Sequence, residues 1–586
     1  MQEERLLKRR IAVAQGQEPG DTVLKNCRIV DVYNLAVREG DIVFADGCIA
    51  GVGGCYEGAE VIDAGGCYAA PGLIDSHIHI ESSYLSPEEF GRLVVPQGTT
   101  TVITDPHEIV NVCGLPGLDY MMAAAEKTAL DIKFMLPSCV PATGFDHAGA
   151  AVRAEDMAEP LQRENVLGLA EFMDYPGVLG AQPQDIAKLL MAHRAGRPID
   201  GHAPGLMGCG LDAYAGAGIH TDHECATAEE ARARVAEGMY VMLRNGSACR
   251  DLPQLLPAVT AANLRRFLLC SDDLHARTVF ARGHLNEHLR LCVQAGLAPE
   301  AAIAMGSLNA AECYGLKDRG ALAPGLRADV VLFGDLQEFR AQAVWIAGRC
   351  IARAGEYLPK LERVDYSAVG SSVHIAGFSA ERLRLQLRSA RVYTIDVSPG
   401  SVVTAKGVAE VQRTADGDFV YSPQADIVKV AVIERHHGTG NAGVGLLRGY
   451  GLQRGAVAVS IAHDSHNIIV AGASNEDMAF AVETVAAQQG GMAVVLAGKV
   501  LAAIPLPIAG LMSDQSAEWL EQQMEVLYEQ AYGVLGVNRA VDAIMTLCFM
   551  SLPVIPQIKL LDTGLFDVEK FGFMEIEAGD SFDSKL

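Results

Sequence analysis

The sequence contains no apolar run of about 18 residues, the length a membrane-spanning helix needs, although 50% of its 586 residues are hydrophobic. The N-terminal stretch MQEERLLKRRIAVAQG is charged and helix-prone. It has no apolar h-region and no cleavage site, so a signal peptide is not expected. None of the fourteen cysteines forms a Cys-x-x-Cys pair. Many, such as Cys139, Cys270 and Cys548, sit among apolar neighbours and are expected as buried free thiols in a reducing cytoplasm. Positive charge is also short: 47 basic against 72 acidic side chains give a formal net charge of −25. Such a chain repels a phosphate backbone, which argues against a nucleic-acid partner but leaves a neutral base open as a substrate. No low-complexity segment or short-period repeat is present, and charged residues amount to 20%, so wholesale disorder is not expected.

The length is too great for one ordinary core. Residues 1–20 read as a leading helix. From Asp21 to about Ala70, short β-type runs (TVLKNCRIVDVYN, DIVFADGCIAGVGG, EVIDAGGCYA) are separated by Gly-Asp, Asp-Gly and Gly-Gly turns, which predicts a small antiparallel sheet. Residues 320–370 return to that texture, so the two pieces are expected to share one β-sandwich. Between them, in residues 71–319, eight apolar runs alternate with helical text: LIDSHIHI, TTTVITD, IKFMLPS, VLGLAEF, PIDGHA, GIHTDH, MYVMLR and FLLCSDD. That alternation predicts an α/β fold, a (β/α)8 TIM-like barrel. Residues 375–586 read as a separate α+β domain, with strands RVYTIDV, IVKVAVIER, AVAVSIA, NIIVAGAS and MAVVLAGKVL and helices NEDMAFAVETVAAQ and SAEWLEQQMEVLYEQA.

Chemistry concentrates at the strand ends. The first barrel strand closes on His77-Ile78-His79, and period-two geometry turns both imidazoles to one side. Later strands end in Glu171, His202, His223 and Asp272, each at the C-terminal tip where barrel enzymes assemble their sites. An isolated His-x-His would be structural, but the set in this order is a candidate centre for two divalent ions, with Glu171 able to bridge them. Imidazole and carboxylate donors suit Zn, Mn or Fe(II) better than Ca or Mg. A water shared by two such ions would be largely hydroxide at neutral pH. His193, His275, His284 and His288 lie in helical or loop text and are expected at the surface or behind the first layer.

The stretch APGLIDSHIHIESS resembles the entry signature of the amidohydrolase superfamily. More narrowly, TTVITDPHEIVNVCG, PSCVPATG, GLAEFMDYPGV, IDGHAPGL and LLCSDD are similar to the bacterial adenine deaminase family, as are VSIAHDSHNIIVAG, PLPIAGLMS and SLPVIPQIKL near the C-terminus. The likeness covers about residues 20–575. It implies a composite β-sandwich, a barrel with a binuclear metal centre, Mn or Fe as the working metal with Zn possible, and hydrolysis of adenine to hypoxanthine and ammonia. The expected partner is a small purine base, in a homo-oligomer without nucleic acid or membrane. In HTDHEC, His223 rather than His220 is matched to the ligand position. The other deaminase signature, H-x-E followed by P-C-x-x-C, is absent. Lysine is missing near Glu171, which disfavours amidohydrolases built on a strand-four lysine; another member acting on a related purine or cyclic amide is the alternative.

Adenine C6 is a poor electrophile until N1 receives a proton or hydrogen bond, so the reaction needs a nucleophile, an acid and a route for a proton to the amine. In similar enzymes the strand-eight aspartate, here Asp272, is the proton shuttle. Asp105, Glu108 and Glu81 are the candidates for the acid at N1, each otherwise a helix cap or loop carboxylate. His107 is a candidate further ligand or orienting group, and Asp273 a candidate supporting group behind the site. His463-Asp464-Ser465-His466-Asn467 is either a polar turn between two strands or a cap over the barrel mouth, from this chain or a neighbour, with His463 and His466 facing the substrate.

Overall fold

Burial on both faces marks the parallel strands: every residue of Leu73–His79 and of Thr99–Thr104 is buried, as expected for strands covered by helices on one side and by their own sheet on the other. The computed structural model describes residues 2–579; Met1 of the leading segment and residues 580–586 of the C-terminal domain lie outside the described residues. Strands Leu73–His79, Thr99–Thr104, Asp131–Leu136, Val166–Phe172 and Ile199–Gly201 pair in chain order, all parallel. A second parallel sheet joins Thr221–Asp222, Tyr240–Arg244 and Phe267–Cys270. The chain then crosses to the first sheet, where Asp272–Asp273 pairs with Ile78 and His79. Asp75 holds this crossing: it accepts hydrogen bonds from the Ser271 backbone N–H (3.1 Å) and hydroxyl, and lies 3.0 Å from His284 Nε2. Ile74, Ile103, Met135, Ala170, Met242, Leu268 and Cys270, drawn from strands of both sheets, pack into one interior cluster. The result is a curled parallel sheet whose strand tips converge.

The two β-rich flanks meet in a nine-stranded sheet. Its N-terminal part is mixed rather than antiparallel. Gly20–Asp31 forms hairpin pairs through Ala36–Ala45 and Cys48–Val52, but Gly58–Asp63 and Tyr68–Pro71 pair with it in parallel. After the second hairpin the chain recrosses to the other edge of the first strand, and a strand arriving that way runs parallel to it. Val330–Phe333 then adds antiparallel to Tyr68–Pro71 and leads the C-terminal flank into the same sheet.

The C-terminal region is built on an eight-stranded sheet with helices Asn475–Ala487 and Ala517–Glu529. The run MAVVLAGKVL is two strands, Gly491–Leu496 and Lys499–Pro505. The chain turns at Ala497 (φ 51°) and Gly498 (φ 68°), the paired left-handed conformation of a tight hairpin turn. Ala442–Arg448, rich in glycine and unmarked in the sequence reading, lies between Arg391–Val397 and Ile427–Ile433. Glycine is required there by contact: a Cβ on Gly443 would come within 1.9 Å of the Leu561 carbonyl oxygen. Gly443→Ala is therefore expected to destabilise the protein by about 1–3 kcal/mol, the usual cost of overpacking a tight site. Denaturant midpoints of the two proteins check this; equal midpoints would show that the 561 strand can retreat freely.

Candidate metal centre

All six residues expected as ligands converge. His77 and His79 bring their Nε2 atoms to 3.2 Å, with the rings nearly perpendicular at 87°. Asp272 Oδ1 lies 3.5 Å from the first and 3.2 Å from the second. Glu171 sits between two groups of imidazoles. Its Oε1 is 3.3 Å from His79 and 3.5 Å from His107 Nδ1. Its Oε2 is 2.7 Å from His202 Nδ1 and 3.2 Å from His223 Nε2. The chain period explains the first pair, and the shared level of the strand tips explains the rest. His79 is oriented by its other nitrogen, which donates to the Asp105 carbonyl oxygen at 2.9 Å and leaves Nε2 free to face inward.

All of these side chains but the partly exposed His202 are buried, and their charges are strongly interdependent. Burial works against a charged His79, but Asp272 and Glu171 outweigh it and raise its pKa well above the ordinary value. Burial also lowers that of His202, and Glu224 and Glu171 reverse this, bringing it to about 9. Glu171 and Asp272 are held well below the usual carboxylate range by the surrounding imidazoles, against their burial. Nitrogens and carboxylate oxygens aimed at common points fit a divalent cation, and the donor set is the one that suits Zn, Mn or Fe. Four overlapping groups of candidate ligands run through this ring, among them His77/His79/Asp272 and His77/Glu171/His223.

Four participants emerge from the structure beyond the expected ligands. Glu224, directly after His223, forms a group with His202 and His223. His107, which the sequence offered as a further ligand or an orienting group, reaches Glu171. Arg244, at the tip of strand seven, is buried and binds Asp272 Oδ2 at 3.0 Å, Asp251 at 2.9 Å and Glu224. It occupies the outer oxygen of Asp272 and leaves Oδ1 to the ring. Asp272 itself adopts φ 57°, a left-handed conformation that costs a non-glycine residue about 1 kcal/mol or more. Asp464 lies 3.7 Å from His107 Nε2.

The His463–Asn467 segment is the loop between Ala456–Val459 and Ile468–Gly472, and it covers the ring within the same chain. His463, Asp464, Val402, Phe549, Leu552 and Ile555 face His79, Glu171, His202 and Asp272 across one cavity. Of the five residues expected to touch substrate, His463 faces this cavity. Glu81, Glu108 and His466 stand behind its wall: Glu81 accepts from the Ile109 N–H and Glu108 from the Ser82 hydroxyl. Asp105 is likewise buried, with neither carboxylate oxygen hydrogen-bonded and His107 Nδ1 at 3.4 Å. His220 points away, to the Ile199 carbonyl oxygen. His275, His284 and His288 are buried rather than at the surface, because each packs under the strand ends: His284 on Asp75, His288 on the Cys270 carbonyl oxygen and His275 on the Tyr84 hydroxyl.

Residues 68–351 match the model of the amidohydrolase family, and residues 401–572 match that of the adenine deaminase C-terminal domain. Adenine deaminase 2 of Desulfotalea psychrophila is 56% identical over 98% of this chain and 99% of its own. The chain belongs to the adenine deaminase family. Adenine deaminase of Ligilactobacillus salivarius is 48% identical over 98% of this chain and 100% of its own. Adenine deaminase 2 of Latilactobacillus sakei is 46% identical over 98% and 99%. The similarity to these family members thus includes the domain that roofs the cavity.

The roof is tied by a buried lysine. Lys559, fully buried, donates to the Val402 carbonyl oxygen at 3.0 Å and to that of Phe549 at 2.9 Å. Among the described residues no carboxylate compensates it, and burial lowers its pKa from near 10.5 to about 7. Between those values the unfolded chain binds more protons than the folded one, so this group makes stability rise with pH. Lys559→Met removes that slope. The stability of the native protein relative to Lys559→Met is expected to increase from pH 7 to pH 10; a difference independent of pH would mean that Lys559 stays charged throughout.

Proposed function

We propose that the protein deaminates free adenine, with water, to hypoxanthine and ammonia. The observation that carries this reading is the Glu171-centred ring of imidazoles and carboxylates lying under a roof from the C-terminal domain. The names of the relatives, adenine deaminases over nearly their whole length, supply the substrate. We further read the two parallel sheets as one closed (β/α)8 barrel, supported by the hydrogen bond from the His220 N–H to the Ile199 carbonyl oxygen at 3.1 Å, which spans the remaining gap. The barrel occupies residues 71–319, between flanks 21–70 and 320–370 that share one sheet, and the described residues from 375 onward form the capping domain.

His77, His79, Glu171, His202, His223 and Asp272 would hold two divalent ions, Mn(II) or Fe(II) before Zn(II), whose chemistry is to supply Lewis acidity and a hydroxide nucleophile near neutral pH. The rest falls to the chain. Asp272 accepts the proton of the nucleophile and returns it to the departing amine; Arg244 fixes its orientation through Oδ2. Asp105 steadies His107 beside Glu171. His463, whose burial lowers its pKa, stays neutral at pH 7 and offers an N–H toward a ring nitrogen of the base. Val402, Phe549, Leu552 and Ile555 give the flat purine an apolar surface and exclude water, which strengthens every polar contact inside. A ribosyl group would have to displace these side chains.

Asp272→Asn keeps the size and removes the basicity. Ammonia release from adenine is expected to fall by about two orders of magnitude or more, the range for losing a positioned proton-transfer group, with a smaller loss of bound metal. Near-native turnover would move the shuttle elsewhere. A panel of purine and pyrimidine bases and nucleosides, assayed with Mn-loaded protein, tests the substrate: adenine should exceed adenosine by a wide margin, and comparable rates would contradict the roofed-site reading.

A further inference from the structure

One group of potential ligands shares no residue with the ring. Glu108, His463 and His466 each offer an atom within 4.8 Å of the others, and all three are buried. Glu108 belongs to helix His107–Cys113 of the parallel-sheet region. His463 and His466 belong to the roof loop more than 350 residues later. The three meet at the seam between the two regions.

The bonding there is incomplete. His466 is entirely buried, and neither of its ring nitrogens has a hydrogen-bond partner among the described residues. Its Nε2 points at Glu108 Oε2 from 3.8 Å, too far for a hydrogen bond. Glu108 Oε2 is itself without a hydrogen bond, as is Oε2 of the buried neighbour Glu81. The other oxygen of Glu108 shares the Ser82 hydroxyl with Asp273. A buried polar atom left unpaired costs about 1–3 kcal/mol, and several face one another here. Acidic groups also crowd the spot: Glu81 and Asp273 both act on Glu108. His463 Nδ1 and Asp464 Oδ1 lie 3.8 Å apart, and His107 and the fixed cation Arg435 both act on His466. A positive ion of small size, taking one nitrogen from each imidazole and one oxygen from Glu108, would satisfy these atoms together.

We propose that Glu108, His463 and His466 form a third cation site, separate from the ring, that clips the roof loop to the parallel-sheet region. Two imidazoles and one carboxylate select a divalent transition ion over Ca(II) or Mg(II). The clip would fix the side of His463 away from the cavity, leaving its cavity-facing edge free for the base.

The test is metal content and metal position in the holoenzyme, purified after growth in Mn- or Zn-supplemented medium. Wild-type protein is expected to carry about three ions per chain, with an anomalous-scattering peak between Glu108, His463 and His466. His466→Gln and, independently, Glu108→Gln should each lose one ion and that peak while the ring keeps its own. Glu171→Gln should do the reverse, so failure of the ring and failure of the clip are distinguishable. Two ions per chain in the wild type, unchanged in His466→Gln, with no peak at the seam, would overturn the proposal. Should the variants aggregate, the wild-type anomalous map decides alone.

Discussion

A single carboxylate, Glu171, faces four imidazoles from four different segments: His79, His107, His202 and His223. Without a cation this is an expensive arrangement. The acid is removed from water, and an imidazole must hold a proton against its own burial to balance it. With cations between oxygen and nitrogen the same atoms become complementary. Much of the surrounding structure serves to keep them at that level. Asp75 pins the strand-eight crossing to strand one, Arg244 occupies the outer oxygen of Asp272, and the Asp105 carbonyl sets the ring of His79. A left-handed backbone at Asp272 is tolerated in the same place, where strain can be maintained by neighbours that leave no alternative.

The capping domain is coupled to this centre by contact. Phe549 stacks on His463 with ring centroids 4.5 Å apart, and Lys559 holds the carbonyls of Phe549 and Val402 from behind. The long segment after the third parallel strand adds a second attachment. His147 pairs with Asp562 at 2.7 Å, and Phe145 packs among Phe566, Phe571 and Phe573. The loop that roofs the site is thus held from both sides, which fits a function that needs a bound base fixed and water excluded.

The parts of this arrangement legible in the sequence are those governed by short-range rules. His77 and His79 fall on one side of a strand because the side-chain period is two, and Glu171, His202, His223 and Asp272 stand at strand tips because apolar runs end there. The eight runs were readable for the same reason. Contacts made by residues distant in sequence were not. Nothing near Arg244 in the chain announces Asp272 and Glu224 as its partners. Nothing local to Glu108 points to His466, so both read as possible substrate contacts when they in fact stand behind the wall. Strand order in the N-terminal sheet escaped as well, because alternation marks a strand without naming its neighbour. The Gly443 strand was silent because its small side chains answer to the Leu561 backbone rather than to a hydrophobic pattern.

The central proposal is that the ring around Glu171 would hold two divalent ions as close neighbours. Electron paramagnetic resonance of the Mn(II)-loaded protein tests it directly. Two Mn(II) ions held side by side there would be exchange-coupled, so the native protein should give the multiline spectrum of a coupled dimanganese centre, and Glu171→Gln should lose that coupling. Native protein showing only the spectrum of isolated Mn(II) ions, indistinguishable from Glu171→Gln, would contradict the account.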